Sequence, residues 1–204
     1  MTGADADSAV VLTSRIRLAR NVTDAPFPGW ARKEERIELL DDLRQKIEQL
    51  PEMKDAFSHQ LSELTSVQKQ VLVERHLISR EQAARSEGSA AIVNRSQTLS
   101  IMINEEDHLR LQSIRSGLHL RDAYDLITQV DSQLEKTLPY AFDHELGYLT
   151  ACPTNVGTGL RASAMLHLPG LVISDHIGQT IQAVGKLGLA VRGIFGEGTE
   201  SLGH

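Results

Sequence analysis

Apolar residues recur along the chain at two spacings, and each spacing predicts a different element. From Val10 to Leu18 they stand at every second position, with Ser14 interrupting the series and arginines between them, which predicts a strand with one wet face. Two short apolar runs, Ala90–Val93 and Leu99–Ile103, flank a polar turn and predict a β-hairpin. Further short strands are predicted at residues 146–149, 164–168 and 189–192.

Spacings of three and four residues predict four amphipathic helices. They cover residues 33–50, 66–77, 121–138 and 177–188. We expect Ser66 to cap the second helix, and Val67, Val71 and Leu72 to face inward. The elements lack the regular strand-helix-strand order of a parallel sheet, and one strand pair is joined as a hairpin. The sequence therefore predicts an α+β fold with a largely antiparallel β-sheet flanked by helices.

Composition changes this picture little. A chain of 204 residues can bury one sizeable core, and because only 4% of its residues are aromatic, we expect that core to be aliphatic. No apolar run approaches the length of a membrane span, and a single cysteine excludes an internal disulfide. These features predict a cytoplasmic protein. Residues 1–9 are small and polar, and we expect a disordered lead-in there.

The charge is acidic overall but uneven along the chain. A net charge of -6 argues against nucleic-acid binding, because such proteins need a basic face to neutralise phosphates. Arg15, Arg17 and Arg20 nevertheless fall within one short stretch, SRIRLAR, which suggests a local anion site. A solvated edge strand is the alternative interpretation of the same stretch.

Three other stretches concentrate chemically active residues. They are NEEDHLR at residues 104–110, CPTNVGTGLRAS at residues 152–163 and VRGIFGEGTE at residues 191–200. The proline and glycines of the second stretch predict repeated turns rather than a strand, with amides free to bind an anion. Because this stretch lacks the lysine of a P-loop, a tight connection around a buried cysteine is an alternative interpretation of it. For the three acids of NEEDHLR, the alternative interpretation is a solvated turn.

In this order and spacing, the four stretches resemble the guanidino (phosphagen) kinase superfamily. The strings VVLTSRIRLARN, VLVERHLIS, GYLTACPTNVGTGLRASAMLHLP and VRGIFGEGTE look more like its bacterial protein-arginine kinase branch than like creatine or animal arginine kinases. The resemblance covers nearly all of the chain from Val10. It implies the catalytic domain of these enzymes and transfer of the γ-phosphoryl group of ATP to a guanidino group.

The resemblance implies that three residues address the acceptor. Glu106 and Glu197 would grip the guanidinium, and Cys152 would align it as a thiolate rather than attack it. Such groups suit this reaction, because a guanidinium is a delocalised, permanently charged and poor nucleophile. Paired carboxylates orient it for in-line attack and take up the proton that its nitrogen sheds.

The resemblance also implies a set of residues for the nucleotide. Five arginines would neutralise and fix the triphosphate: Arg15, Arg17, Arg110, Arg161 and Arg192. The remaining nucleotide-adjacent positions are Thr13, Ser14, Ile16, His76, Ala162, Ser163, Ala164, Met165, Gly193, Ile194, Phe195 and Gly196. Mg²⁺ would bridge the phosphates, with no metal site made of protein ligands. His76 has a second interpretation, since a histidine near a helix end often interacts with the helix dipole.

We expect one catalytic domain at residues 10–204, truncated at its C-terminus relative to the family. Only about nine residues precede the first motif, where small-substrate kinases carry a helical domain. An uncovered site would admit arginine side chains of proteins. The alternatives are a kinase of a free guanidino metabolite, and a non-catalytic module that binds nucleotide or phosphoarginine. Family resemblance implies protein substrates with exposed arginines, a chaperone-protease system and a stress repressor as partners, without nucleic acid or membrane.

Overall fold

The computed structural model describes residues 10–193. Its strands are β1 (Val11–Arg20), β2 (Phe57–Gln60), β3 (Ala90–Val93), β4 (Leu99–Ile103), β5 (Leu109–Ser116), β6 (Phe142–Asp143), β7 (Gly147–Tyr148) and β8 (Leu160–Leu166). Its helices are α1 (Lys33–Glu48), α2 (Ser66–Glu74), α3 (Arg80–Ala83), α4 (Leu120–Glu135), α5 (Pro169–Ile173) and α6 (Ile177–Lys186). The predicted α+β class is confirmed.

Six strands form the main sheet in the order β2-β3-β4-β5-β1-β8. The pairs β2–β3, β3–β4 and β4–β5 are antiparallel, and the predicted hairpin pairs Ala90 with Ile103 and Val93 with Ser100. Strands β6 and β7 form a separate antiparallel pair. Within the described part of the chain, no helix is long and apolar enough to cross a bilayer.

The chain divides into two compact units. The larger contains Arg15–Ile114 and Arg121–Ala162, and the smaller contains, among the described residues, 10–14, Arg115–Leu120 and 163–193. Among the described residues, the larger unit contains most of the predicted site residues, including Arg15, Glu106, Arg110, Cys152 and Arg161.

The core of the larger unit is aliphatic, as composition predicts. Leu40, Leu43 and Ile47 have no exposed surface, and their spacing places them on one face of α1. Ile127 and Leu134 form the equivalent buried face of α4. Helix α1 packs on β3 and β4, whose residues are all buried. Burial of these side chains fixes β3 and β4, and β4 leads directly into the acidic residues that follow Ile103.

Four sequence predictions about local structure need correction, and two of them concern α2. Thr65, not Ser66, caps α2, because its Oγ1 accepts a hydrogen bond from the Gln68 amide at 3.3 Å. Val67 and Val71 are exposed, whereas Leu72 faces inward as predicted and packs with Val73 against a buried cluster around Met102. The inward face of this short helix is therefore rotated from the predicted one.

The other two corrections concern strands. The strand predicted at residues 164–168 begins earlier, as β8, so residues 160–163 of the glycine-rich stretch are extended strand rather than loop. Residues 189–192 form no strand, because the chain there continues the turn that ends α6. Gly188 has φ +79°, and the Leu189 amide returns to the Val184 carbonyl at 3.4 Å.

Candidate active site

Three adjacent strands bring arginines together. Arg110 lies on β5, Arg15 on β1 and Arg161 on β8, and these strands neighbour each other in that order. Burial lowers the pKa of the Arg15 guanidinium, and the charges of Arg110 and Arg161 lower it further. We call these three residues the cationic cluster. Because like charges repel, the arrangement is suited to an anion with several negative oxygens.

His76 stands beside this cluster at the end of α2. It adopts the left-handed conformation with φ +56°, and its amide bonds to the Val73 carbonyl at 2.9 Å, so its backbone ends the helix. Gln112 Nε2 donates to the His76 carbonyl at 2.8 Å. Burial and then the charge of Arg15 lower the pKa of the imidazole. The ring is therefore neutral at pH 7 and can face a nucleotide without adding charge.

The three consecutive acids lie in the connection between β4 and β5, residues 104–108, which we call the acidic turn. The Asn104 amide closes it by donating to the His108 carbonyl at 3.0 Å. Asn104 has φ +54°, and its buried side chain donates to the carbonyls of Arg36 and Gly88 at 3.0 and 2.8 Å. An asparagine tolerates this conformation, so the turn is fixed by its first residue.

The first two acids of the turn have different surroundings. Glu105 is buried, and its carboxylate accepts from Ser79 Oγ and from Arg110 Nη1, each at 2.7 Å. Glu106 is 46% exposed and accepts from Arg110 Nη2 at 2.8 Å. Two neighbouring carboxylates therefore hold one guanidinium. The role of Glu105 was not predicted, although it stands in the same run of acids.

Residues 148–157 form a closed loop around the only cysteine, which we call the Cys152 loop. Tyr148 and Gly157 close it with two backbone hydrogen bonds, of 2.8 and 3.3 Å. Cys152 is half-buried, and its Sγ lies 3.0 Å from Thr154 Oγ1. Thr150 Oγ1 donates to the Cys152 carbonyl at 2.8 Å. The thiol is thus presented on a short, internally bonded turn.

Buried side chains tie the acidic turn to the Cys152 loop. Asp107 Oδ1 accepts from the Ala151 amide and from Asn21 Nδ2, each at 2.7 Å. Asn21 also donates to the Leu149 carbonyl at 3.0 Å and accepts from the His108 amide at 2.8 Å. Since Glu106 precedes Asp107 and Cys152 follows Ala151, two of the three predicted acceptor residues are adjacent in sequence to one buried hydrogen-bond network.

Other residues of the predicted site have varied surroundings. Ile16 is buried in the core, and Arg17 is half-buried. In the smaller unit, Ser14 Oγ donates to the Gly117 carbonyl at 2.7 Å and accepts from the His119 amide at 3.0 Å. Thr13, Ser163, Met165 and Gly193 are half-buried, whereas Ala162, Ala164 and Arg192 are exposed. Ile194, Phe195, Gly196 and Glu197 lie outside the described residues, as do residues 1–9 of the predicted lead-in.

Among residues 10–193, no group of three or more His, Cys, Asp and Glu side chains is arranged to hold a metal ion. A site that relies on protein ligands alone is therefore not formed in this part of the chain. Mg²⁺ commonly keeps several waters and binds through substrate phosphates, and an arginine cluster beside exposed and buried carboxylates fits that mode.

Comparison with known proteins decides the family. A model of the ATP:guanido phosphotransferase C-terminal catalytic domain matches residues 38–204. The chain belongs to this family. The predicted resemblance to guanidino kinases is confirmed.

Curated relatives are more specific. The chain is 48% identical to a protein-arginine kinase of Bacillus cereus, over all of this chain and 58% of the relative. It is 45% identical to the protein-arginine kinase of Pelotomaculum thermopropionicum, over 97% of this chain and 56% of the relative. The chain thus spans a little over half the length of these curated relatives.

Solved structures agree with the fold. The duplicated taurocyamine kinase of Schistosoma mansoni, with bound transition-state analogue components, superposes with a TM-score of 0.84 at 29% identity. That match covers all of this chain and 29% of the other. A lombricine kinase superposes with a TM-score of 0.81 at 28% identity, over all of this chain and 59% of the other. The sheet and its helices are therefore those of guanidino kinases.

Proposed function

We propose that the protein is an ATP-dependent protein-arginine kinase, which transfers the γ-phosphoryl group of ATP to arginine side chains of proteins. The observation that carries the proposal is the meeting of Arg110, a member of the cationic cluster, with Glu106 of the acidic turn. Groups suited to a triphosphate and groups suited to a guanidinium are thereby adjacent. The curated relatives at 45% and 48% identity, which are named protein-arginine kinases, support the same reaction.

On the donor side, the cationic cluster would hold the triphosphate, with neutral His76 beside Arg15. Planar guanidinium forks bind phosphate oxygens in a bidentate manner, which fixes the terminal group for in-line attack. Glu105 and Glu106 hold Arg110 from two sides, so its fork is oriented before substrate arrives. Mg²⁺ bound to the phosphates would add charge neutralisation between the β- and γ-groups. Arg17 and Arg192 complete the proposed set.

On the acceptor side, half-exposed Glu106 and half-buried Cys152 are both accessible to an incoming side chain. The Glu106 carboxylate would accept hydrogen bonds from the substrate guanidinium and take up its proton late in the transfer. Cys152 would align the attacking nitrogen through its sulfur rather than attack as a nucleophile. Glu197 is proposed as the second carboxylate on the basis of its motif. No covalent enzyme intermediate is required.

The setting of the reaction is also part of the proposal. By family resemblance, the protein would act in the cytoplasm on proteins with exposed arginines during stress. A chaperone-protease system and a stress repressor would be its partners by the same resemblance.

The experiment is a transfer assay with ATP labelled at the γ-phosphate, Mg²⁺ and an unfolded substrate protein. The protein should deposit label that is lost in acid and that mass spectrometry locates on arginine. Glu106→Gln should abolish most of the label. Glu38→Gln, at an exposed position of α1, is the matched control and should retain it. Acid-stable label on serine or threonine, or no label, would reject the proposal.

A further inference from the structure

Arg20, the third arginine of SRIRLAR, has no place in the proposed chemistry, yet it is the most deeply buried of the three. Its side chain is 4% exposed and pairs with Asp131 of α4, whose side chain is 11% exposed. Nε donates to Asp131 Oδ1 at 3.1 Å, and Nη2 donates to Oδ2 at 2.7 Å. The Nε and Nη2 groups of Arg20 therefore both donate to one buried carboxylate.

The other side of the same guanidinium contacts the Cys152 loop where its closing residues Tyr148 and Gly157 meet, which we call the neck of the loop. Nη1 donates to the Thr158 carbonyl at 2.9 Å, directly after the closing residue Gly157. The guanidinium carbon lies 3.6 Å from the centroid of the Tyr148 ring, at the opposite closing residue. Tyr148 Oη donates to Glu135 Oε1 at 2.9 Å, which holds the ring in place. One cation therefore contacts both ends of the loop.

Backbone packing around Arg20 is close. A Cβ on Gly159 would lie 2.6 Å from Arg20 Nη1 and 2.6 Å from the Ala19 carbonyl oxygen, and Gly159 has φ +63°. The backbone between the Cys152 loop and Arg161 thus passes close to Nη1 of Arg20. Buried ion pairs contribute little net stability compared with apolar side chains of similar volume. Stability alone gives no reason for a charge pair at this place.

We propose that Arg20 is a positioning residue, whose guanidinium, anchored by Asp131, clamps the neck of the Cys152 loop and so sets where the thiol of Cys152 stands. The inference rests on the proposed function for its catalytic meaning, but its structural content does not depend on that function. Lysine cannot replace the clamp, because a point charge lacks the planar fork that serves Asp131 and Thr158 together.

The test is amide hydrogen exchange at the loop neck in Arg20→Lys and in Tyr148→Leu. The amides at positions 148 and 157 should exchange about tenfold faster, equivalent to about 1.4 kcal/mol of local opening. Ile47→Val, in the buried face of α1, is a control that lowers stability without touching the loop. Exchange at the two positions that stays within the change of the control would overturn the proposal. Should Arg20→Lys not fold, Tyr148→Leu decides alone by the same criterion.

A kinetic readout separates positioning from general stability. In Arg20→Lys, kcat should fall about tenfold while KM for ATP changes less than about twofold, because Arg15 and Arg110 themselves are unchanged. The Ile47→Val control should have the kcat of the unaltered chain when both are assayed well below the unfolding temperature of the control. A loss that appears only in KM for ATP, or equally in the control, contradicts a positioning role. If the unaltered chain makes no phosphoarginine, the proposed function fails, and the exchange measurement still decides on the clamp.

Discussion

Arg110 Nη2 donates to Glu106 Oε2 at 2.8 Å, so a residue proposed to hold the nucleotide is bonded to a residue proposed to hold the acceptor. The second fork nitrogen of Arg110 is bonded to buried Glu105 at 2.7 Å. Glu105 thus fixes Arg110 from the core, while Glu106 reaches it from the exposed side. The two acids differ in burial, and Glu105 also accepts a hydrogen bond from Ser79 Oγ. These differences favour a structural role for Glu105 and agree with the chemical role proposed for Glu106.

The first prediction separates these acids. Glu105→Gln should lower the free energy of unfolding by about 3 kcal/mol, because it breaks a buried ion pair. Glu106→Gln should cost less than about 1 kcal/mol, since its carboxylate is 46% exposed. It should nevertheless lower kcat at least about a hundredfold through loss of the proton acceptor. Urea unfolding and transfer assays measure both; equal destabilisation, or unchanged kcat in Glu106→Gln, would count against this assignment.

The second prediction concerns repulsion within the cationic cluster. Arg161→Gln removes one of the charges that lower the pKa of Arg15. At low salt the free energy of unfolding should rise by about 0.5 kcal/mol, and added salt should erase the gain. Calorimetric titration should show a Kd for MgATP that is at least about tenfold higher, because a guanidinium that binds phosphate is lost.

Arg95→Gln is the control for that experiment, because Arg95 is exposed and lies on the turn between β3 and β4. It should leave MgATP affinity within about twofold. If Arg161→Gln binds MgATP as tightly as this control, the cluster is not the phosphate site.

The third prediction is a dependence of stability on pH through His108. The Val22 amide donates to Nδ1 at 3.1 Å, and Nε2 lies 3.0 Å from the Pro26 carbonyl oxygen, so the buried ring is neutral. Burial lowers its pKa, although the charge of Asp107 and the bond to Pro26 oppose this. The unfolded chain therefore binds the proton at higher pH than the folded chain, and stability falls as pH drops below about 6.5.

The measurement is urea unfolding between pH 8 and pH 5.5. His108 should contribute a slope of up to about 1.4 kcal/mol per pH unit, and His108→Gln should lack this contribution. His144→Gln, at an exposed position, should keep the slope of the unaltered chain. Identical slopes in His108→Gln and the unaltered chain would show that the ring is not held neutral.

The fourth prediction tests the neck of the Cys152 loop. Gly147 has φ +83°, and a Cβ there would lie 2.6 Å from the Gly157 carbonyl oxygen. Gly147→Ala should lower the free energy of unfolding by at least about 2 kcal/mol. Gly178→Ala in α6 meets nothing within 4 Å and should raise it by about 0.5 kcal/mol. A Gly147→Ala chain as stable as the Gly178→Ala chain would refute the close approach.

The sequence predicted the elements whose signals are local. Helices α1 and α4 and the hairpin of β3 and β4 follow from periodicity, because each buries a continuous apolar face. Strand β5 was missed, since its centre carries buried Gln112 and Ser113, which interrupt the apolar pattern. Gln112 is buried there because it serves the carbonyls of His76 and Leu77, which lie far away in sequence. Periodicity does not register such a partnership.

The candidate site shows the same difference between local signals and contacts that are distant in sequence. Its motif residues could be named in advance because the family resemblance lies in contiguous strings. The groups that fix them could not, since Arg20 meets Asp131 across 111 positions and Asn21 meets Asp107 across 86. No local pattern distinguishes Asp131 from other acids on an amphipathic helix. Its role appears only when the fold brings α4 to the end of β1.

The most direct test of the central claim compares two acceptors at equal arginine concentration, one an unfolded protein and one free arginine. With MgATP, the protein should form acid-labile phosphoarginine on the unfolded protein and leave free arginine largely unused. Glu106→Gln should lose this activity, and Glu38→Gln should keep it. Preferential phosphorylation of free arginine, or transfer to neither acceptor, would contradict the account.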